Sequence, residues 1–306
     1  MSREYPRVME SFFGTPWLIR YEKMMEVQSA LLARIKNGPA AFDDDFGPPR
    51  ERKPYDLIGG AALIPVHGTI SPRPSLFASG GSSAEEIGSS ISAALADGKV
   101  EQIVLDMDTP GGAVHGIPEL ASQIREAKRA KPVVAVVNHT AASAGYWLAS
   151  QASEVVMPVS SWVGSVGVMW PRVDASAADE QAGIKVHMIV SDGSPHKNED
   201  HPSLPATDAE LVERQRMVNE LFQQMASSIA KGRGVKASTV ERDFGKGRMM
   251  FAEAAIAAGM ADRIDTLSGV IGRVNSSRSR QAKRRMAAQL AAAQLMRRPC
   301  PIGTAE

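Results

Sequence analysis

Two segments of the sequence carry residue types that acyl-transfer chemistry requires, which are a nucleophile, a base and backbone N–H groups directed at a developing oxyanion. The first segment, residues 106–113, follows an apolar strand pattern and contains Pro110, Gly111 and Gly112. Pro110 stiffens a turn, and the two glycines permit a substrate to approach the backbone closely. An ordinary tight turn has the same composition. This segment is therefore a candidate oxyanion-binding turn only beside a nucleophile.

The second segment, residues 138–147, surrounds Ser143 with small side chains directly before a helical pattern. Ser143 is thus expected at a helix N-terminus, where free N–H groups and the helix dipole favour negative charge. The N–H of Ala144 can then join that of Gly112 in an oxyanion hole. A helix-capping serine fits the same position. The two segments together favour Ser143 as a catalytic nucleophile.

The base that would activate Ser143 is not fixed by the residues alone. A serine hydroxyl is a weak nucleophile unless an adjacent base takes its proton. His139 lies four residues before Ser143, although a loop histidine is the simpler interpretation. Lys185 is predicted on the solvent face of a strand, and Lys197 lies in the turn-rich segment that follows. No spacing singles out the other histidines, which are His67, His115, His187, His196 and His201.

Apolar strand patterns alternate with helical patterns through the middle of the sequence. Strands are predicted at residues 61–66, 102–106, 133–138, 154–157 and 187–190. Helices are predicted at residues 117–128, at residues 144–150 and after two capping boxes, Ser83 with Glu86 and Thr207 with Glu210. A helix and a short strand are predicted around residues 252–264. This alternation predicts an α/β domain with a largely parallel sheet and flanking helices.

Four parts make up the predicted domain organisation. Residues 1–36 form an N-terminal helical arm, because the apolar pattern of residues 15–35 is typical of an amphipathic helix. Residues 37–60 are rich in Gly, Pro and charge, which is typical of a linker. Residues 61–272 form the main domain. Residues 273–306 carry eight Arg or Lys residues and form a basic tail, either helical or solvated and partly disordered.

The composition excludes several classes of protein. The chain has 306 residues, 43% of them hydrophobic, which suffices for a sizeable core. Its 35 basic and 34 acidic residues produce no overall field that favours nucleic acid. Cys300 is the only cysteine, so a disulfide framework and a cysteine-based zinc site are excluded. No stretch reaches the roughly 18 apolar residues of a membrane span, and no secretory signal is recognisable, so a cytoplasmic protein is expected.

Several motifs in register, from about residue 61 to residue 267, resemble the signal peptide peptidase A family of Ser/Lys serine peptidases, including its soluble phage relatives that mature capsids. The motifs are IPVHGTI, LDMDTPGG, TAASAGYWLA, SWVGSVGV, the lysine region, IAKGRG and GRMMFAEAAIAAGMADRID. Several motifs in one order are far more specific than any single one. The resemblance implies a ClpP/crotonase-like α/β fold for the peptidase domain at residues 61–272.

The resemblance also implies roles for individual residues. Ser143 would be the nucleophile, Lys197 the general base, and the amides of Gly112 and Ala144 the oxyanion donors. The residues implied to line the cleft are Gly111, Gly164, Ser165 and Gly167, with Ser165 helping to position the lysine. A lysine acts as a base only when its pKa falls, and the acids near Lys197 in the sequence oppose this. We therefore expect a homo-oligomer whose interface finishes the desolvation of Lys197.

The predicted function is a serine endopeptidase that works through an acyl-enzyme, as a phage or prophage head (capsid) maturation protease in the host cell or the procapsid. Protein or peptide substrates, such as capsid or scaffold proteins, are the expected partners, and no cofactor, metal, membrane anchor or nucleic acid is implied. Two alternatives are a non-catalytic oligomeric scaffold or connector-associated protein, and a cytoplasmic peptide-degrading peptidase. An acyl-CoA enzyme of the crotonase type is disfavoured because no CoA site is recognisable.

Overall fold

Strands of two sheets form the centre of the fold, in a computed structural model that describes residues 16–19, 53–74 and 81–296. In chain order the strands are β1 (Trp17–Ile19), β2 (Asp56–Ile58), β3 (Ala61–His67), β4 (Ile70–Ser71), β5 (Ser82–Ser83), β6 (Gln102–Thr109), β7 (Gly111–Ala113), β8 (Val133–Ala142), β9 (Glu154–Met157), β10 (Trp162–Gly164), β11 (Met249–Phe251) and β12 (Arg263–Ile264).

Helices cover the sheets and connect the strands. They are α1 (Ala84–Ala96), α2 (Ile117–Ala130), α3 (Ala144–Ala149), α4 (Ser176–Gln181), α5 (Asp208–Arg233), α6 (Ala237–Asp243), α7 (Ala252–Ala257) and α8 (Leu267–Met296). Both predicted capping boxes begin helices: the Ser83 hydroxyl accepts the Glu86 N–H at 3.1 Å, and Thr207 accepts the Glu210 N–H at 3.2 Å. None of the described helices is both long enough and apolar enough to cross a membrane.

The main sheet has eight strands, in the order β11-β10-β8-β6-β3-β2, with β9 also beside β8 and β12 beside β9. All pairings are parallel except β2 with β3 and β10 with β11. Val133 to Val137 of β8 are buried without interruption, as expected for a parallel strand covered on both faces. The predicted α/β fold with a largely parallel sheet is thus confirmed.

The two faces of the main sheet pack against different helices. Ile103 and Leu105 of β6 belong to the larger core, which includes buried residues of α1, α2 and α3. Val104 points to the opposite face and joins a smaller cluster with Val270 and Val274 of α8. The first part of the predicted basic tail therefore contributes to the core, and α8 continues as a helix to Met296.

A second, smaller sheet has the order β1-β7-β4-β5. Its strand β1 corrects the helix predicted over residues 15–35, because Trp17–Ile19 is extended and pairs antiparallel with Gly111–Ala113. The strand partner that the folded chain offers to these three residues outweighs their local helical pattern. The remainder of the predicted helix lies outside the described residues.

Two further predictions differ from the structure. Residues 187–190 were expected to be a strand, but they pair with no other strand in the described ranges, and Ile189 is 93% exposed. Residues 187–190 have the apolar pattern of a strand, but no described strand lies beside them to form backbone hydrogen bonds. Conversely, Asp56–Ile58 lies within the predicted linker and forms β2 against β3. The sheet therefore begins before residue 61.

Candidate active site

Ser143 lies where β8 ends and α3 begins. Its backbone has φ 53° and ψ −113°, a conformation that residues with a side chain rarely adopt. Two hydrogen bonds hold it there: its N–H donates to the carbonyl of Gly164 at 2.8 Å, and its carbonyl accepts the N–H of Trp147 at 2.9 Å. Such strain persists only where the surrounding structure imposes it, and it is concentrated at functional sites.

The helix that follows Ser143, α3, is closely packed. All six residues of α3 are buried, and a Cβ on Gly145 would lie 2.4 Å from the Thr109 methyl group, so only glycine fits this close contact. Burial raises the pKa of Tyr146, which keeps its phenol neutral as a donor to the Met260 carbonyl at 3.1 Å. The Ser143 hydroxyl donates to the carbonyl of Gly167 at 3.4 Å.

The Gly111 and Gly112 segment forms β7, close to Ser143. Gly111 has φ 104°, and a Cβ there would lie 1.9 Å from the Leu18 oxygen and 3.0 Å from the Ala142 oxygen. Gly112 is equally restricted, because its Cβ would lie 1.9 Å from the Ile70 oxygen. Both glycines are therefore required by backbone contacts, and Gly111 also neighbours Ala142, the residue that precedes Ser143.

Thr109 stabilises this turn, a role that the sequence did not indicate. Its hydroxyl donates to the Gly68 carbonyl at 2.6 Å and accepts the N–H of Gly111 at 3.1 Å. Thr109 is fully buried and also contacts the region of Gly145. One side chain of β6 thus connects Gly68, directly after β3, with Gly111 of β7 and Gly145 of α3.

The predicted cleft turn at residues 164–167 adjoins Ser143. Gly164 has φ 141°, and a Cβ there would lie 2.2 Å from the Arg248 oxygen. Ser165 also has a positive φ, 52°, and its N–H donates to the same Arg248 carbonyl at 3.0 Å. Ser143, Gly164 and Gly167 are joined by the hydrogen bonds above, so the structure brings these predicted site residues together.

Lys197 is not brought to Ser143 within a single chain. It is exposed in a turn, where its N–H donates to the Ser194 carbonyl at 3.1 Å. No hydrogen bond or ion pair between Lys197 and Ser143 occurs within the three described ranges. The other candidate lysine, Lys185, is exposed as well.

A buried cluster of charged residues holds the segment that carries Lys197. The Arg172 Nε donates to Glu210 Oε1 at 2.6 Å, and Arg214 reaches the same oxygen at 3.3 Å and Asp200 at 2.9 Å. Arg172 also donates to the Leu204 carbonyl at 3.0 Å. Sequence reasoning missed this cluster, because its members lie up to 42 positions apart.

The histidines do not contact Ser143 in the described chain. His139 is exposed, and its Nδ1 lies 3.4 Å from Asp108 Oδ2. His67 Nε2 lies 3.2 Å from Asp106 Oδ2, and Asn138 donates to the other oxygen of Asp106 at 2.6 Å. His196 lies 2.7 Å from Glu199. No group of three or more His, Cys, Asp or Glu side chains suited to a metal ion is found among the described residues.

The chain matches a known protein family over much of its length. The sequence profile of peptidase family S49 matches residues 125–280, about half of the chain. The chain belongs to peptidase family S49. The match includes Ser143, residues 164–167 and Lys197, whereas Gly111 and Gly112 lie before it.

Curated relatives of this S49 chain include two phage proteins. Capsid assembly protease C of Escherichia phage lambda is 33% identical over 227 residues, covering 74% of this chain and 51% of the relative. Head-tail preconnector protein GP5 of Enterobacteria phage P21 is 29% identical over 238 residues, covering 76% of this chain and 47% of the relative. This chain therefore spans about half the length of both relatives.

A plant protein shows how widely the similarity extends. The chloroplastic serine protease SPPA of Arabidopsis thaliana is 27% identical over 223 residues, covering 70% of this chain and 32% of the relative. The family resemblance described from the motifs is thus confirmed. Two of these relatives are named as phage proteins and one as a chloroplast protein, so the family is not confined to phages.

Proposed function

We propose that this protein is a serine endopeptidase that hydrolyses peptide bonds through an acyl-enzyme on Ser143. The observation that carries the proposal is the strained backbone of Ser143, held between the β7 glycines and the turn at residues 164–167 in a chain of peptidase family S49. A nucleophile on a constrained strand-to-helix junction presents its hydroxyl in one direction. Constraint of this kind is unnecessary for an ordinary helix cap.

The mechanism assigns one task to each group. Lys197, in its neutral form, takes the Ser143 proton as Oγ attacks the scissile carbonyl. The N–H groups of Gly112 and Ala144 stabilise the negative oxygen of the tetrahedral intermediate. The lysine ammonium then protonates the leaving amine, and the neutral amine activates water for hydrolysis of the ester. Ser165, beside Ser143, positions the lysine.

Assembly completes the site in this proposal, because Lys197 is exposed and makes no hydrogen bond to Ser143 within the described part of one chain. An interface between copies would remove water from Lys197 and bring it to Ser143. Exposed apolar side chains on the same part of the molecule support such an interface. They are Ile184, Ile189, Leu211, Val212 and Met217.

The names of the phage relatives support a proposal for the biological setting. The phage proteins named above are a capsid assembly protease and a head-tail preconnector protein. We infer that this protein matures phage or prophage heads, with capsid or scaffold proteins as substrates, in the host cell or the procapsid. An extended substrate would pair with a strand edge beside Ser143.

The experiment compares casein cleavage by the wild type with Ser143→Ala and Lys197→Ala, with the size of every assembly measured in parallel. Lys185→Ala is the matched control, because Lys185 is also an exposed lysine of the same segment. We expect loss of cleavage in the first two variants alone, with unchanged assembly. Full cleavage by Ser143→Ala would refute the proposal, and an inactive wild-type oligomer would favour a scaffold.

A further inference from the structure

The short strand β1 lies in a groove beside the candidate nucleophile. On one side Trp17, Leu18 and Ile19 pair antiparallel with Ala113, Gly112 and Gly111. On the other side Trp17 exchanges two hydrogen bonds with Met169: its N–H donates at 2.8 Å, and its carbonyl accepts at 3.1 Å. β1 thus lies between the glycine strand and the segment that follows the turn at residues 164–167.

The direction of these hydrogen bonds turns the Leu18 backbone toward β7. In an extended chain, consecutive residues direct their N–H and C=O groups to opposite sides. Because Trp17 faces Met169, Leu18 faces Gly112. A Cβ atom built on Gly111 would lie 1.9 Å from the Leu18 oxygen and 3.0 Å from the Ala142 oxygen, so these two oxygens are close to each other. The Leu18 carbonyl therefore lies next to the residue that precedes Ser143.

β1 also closes the groove. β4 pairs with the opposite edge of β7, so β1 occupies the remaining edge of that strand. Ser143 is 1% exposed, and all three residues of β7 are buried. A peptide cannot pair with β7 while β1 remains in place.

We propose that β1 is a built-in competitor that occupies the position of the substrate strand, so that peptide substrates bind only when β1 leaves. This inference rests on the proposed function and specifies its substrate class. Leu18 is fully buried and Ile19 is 4% exposed. Backbone N–H and C=O groups on both sides of the groove hydrogen-bond to β1. The fitting substrate is an extended segment with a large aliphatic side chain at the position of Leu18. The backbone pairing contributes affinity, and the pocket for this side chain contributes selectivity.

A reversible clamp tests this competition. Trp17→Cys with Met169→Cys joins two directly opposed residues, whose Cα atoms in such a pair lie about 5.5 Å apart, within reach of a disulfide. The full chain also carries Cys300→Ser, to remove the other thiol, and Ser143→Ala, to prevent cleavage. The probe is a fluorescent peptide that copies residues 14–22. We expect at least tenfold weaker peptide binding to the oxidised clamp than to the reduced protein.

Controls separate competition from general effects of a disulfide. Asp56→Cys with Leu63→Cys clamps β2 to β3 at the far edge of the main sheet, where oxidation is expected to leave peptide binding unchanged. A probe with Asp in place of Leu18 is expected to bind at least tenfold more weakly than the original peptide.

Equal binding to both forms of the clamp, or no binding to either, would overturn the inference. The readout requires no catalysis, because every protein carries Ser143→Ala. Clamp-dependent binding, together with no cleavage of the same peptide by the wild type at concentrations that displace β1, would therefore refute the peptidase proposal and leave the competition intact.

Discussion

Among single residues, Ser143 combines burial with a backbone conformation that costs of the order of 1–3 kcal/mol in a residue with a side chain. Glycine adopts a positive φ without this cost. We predict that the free energy of unfolding of Ser143→Gly is about 1 kcal/mol higher than that of Ser143→Ala. Both variants are expected to lack peptidase activity. Denaturant titration of the two variants measures this difference. Equal or lower stability of Ser143→Gly would show that the site stores no strain.

Gly112 is the second residue whose change has a definite consequence. A Cβ there would lie 1.9 Å from the backbone oxygen of Ile70, so β7 must move and the proposed oxyanion donor moves with it. Gly112→Ala is expected to lower kcat about 100-fold or more, the usual effect of losing one such donor. Gly98→Ala is the control, because nothing lies within 4 Å of its Cβ position. Peptide hydrolysis by both variants tests the contrast, and an active Gly112→Ala enzyme would exclude Gly112 from the site.

At the scale of elements, α5 and the segment carrying Lys197 depend on the buried carboxylate of Glu210. Removing it leaves the guanidinium groups of Arg172 and Arg214 buried without their shared partner, and Nε and Nη1 of Arg214 already lack an acceptor among the described residues. Glu210→Ala is predicted to lower the free energy of unfolding by about 3 kcal/mol.

Glu213→Ala is the matched control for Glu210→Ala, because Glu213 pairs with Arg216 on the solvent side of the same helix. Little change is expected there, since exposed ion pairs contribute little to stability. Thermal unfolding and hydrogen exchange at residues 170–206 distinguish the two variants. Similar effects of both changes would mean that the buried cluster does not hold the lysine segment.

The end of α5 is attached to β9 through Asp262. Burial alone would raise the pKa of Asp262, but hydrogen bonds from Arg233 at 2.9 and 2.8 Å and from the Val155 N–H at 2.7 Å outweigh it and lower the pKa. A carboxyl group with a lowered pKa in the folded state stabilises the protein above its unfolded pKa, about 3.9. That stabilisation is lost as the pH falls through the folded pKa.

Asp262→Asn is therefore expected to be less stable than the wild type at pH 6, and to lose less further stability than the wild type as the pH falls below the unfolded pKa of about 3.9. Thermal unfolding across this pH range measures both curves. Parallel curves for the two proteins would contradict the assignment.

The alternation of strands and helices was predictable because buried parallel strands and capping boxes leave local patterns, as in β8 and at Ser83. The junction that contains Ser143 could be predicted for the same reason. β1 could not, because three residues in a helical pattern become a strand only through partners that lie more than 90 positions away. The cluster around Glu210 likewise depends on contacts across the chain, which periodicity does not reveal.

In the whole molecule, we predict that the active site of one chain is incomplete, since Ser143 is buried and Lys197 is exposed. If Lys197 is supplied by a neighbouring copy, a mixture of inactive Ser143→Ala and inactive Lys197→Ala regains part of the peptidase activity after subunit exchange. Mixing each variant with itself is the control. Activity that stays absent in an exchanged oligomer would mean that each chain supplies its own lysine.

Whether Ser143 is the activated nucleophile can be measured by labelling the assembled protein with a fluorophosphonate and locating the adduct by peptide mass spectrometry. We expect one adduct on Ser143, none in Ser143→Ala, and much slower labelling in Lys197→Ala than in Lys185→Ala. Labelling of Ser143→Ala at the wild-type rate, or an assembled wild type that remains unlabelled, would contradict this expectation.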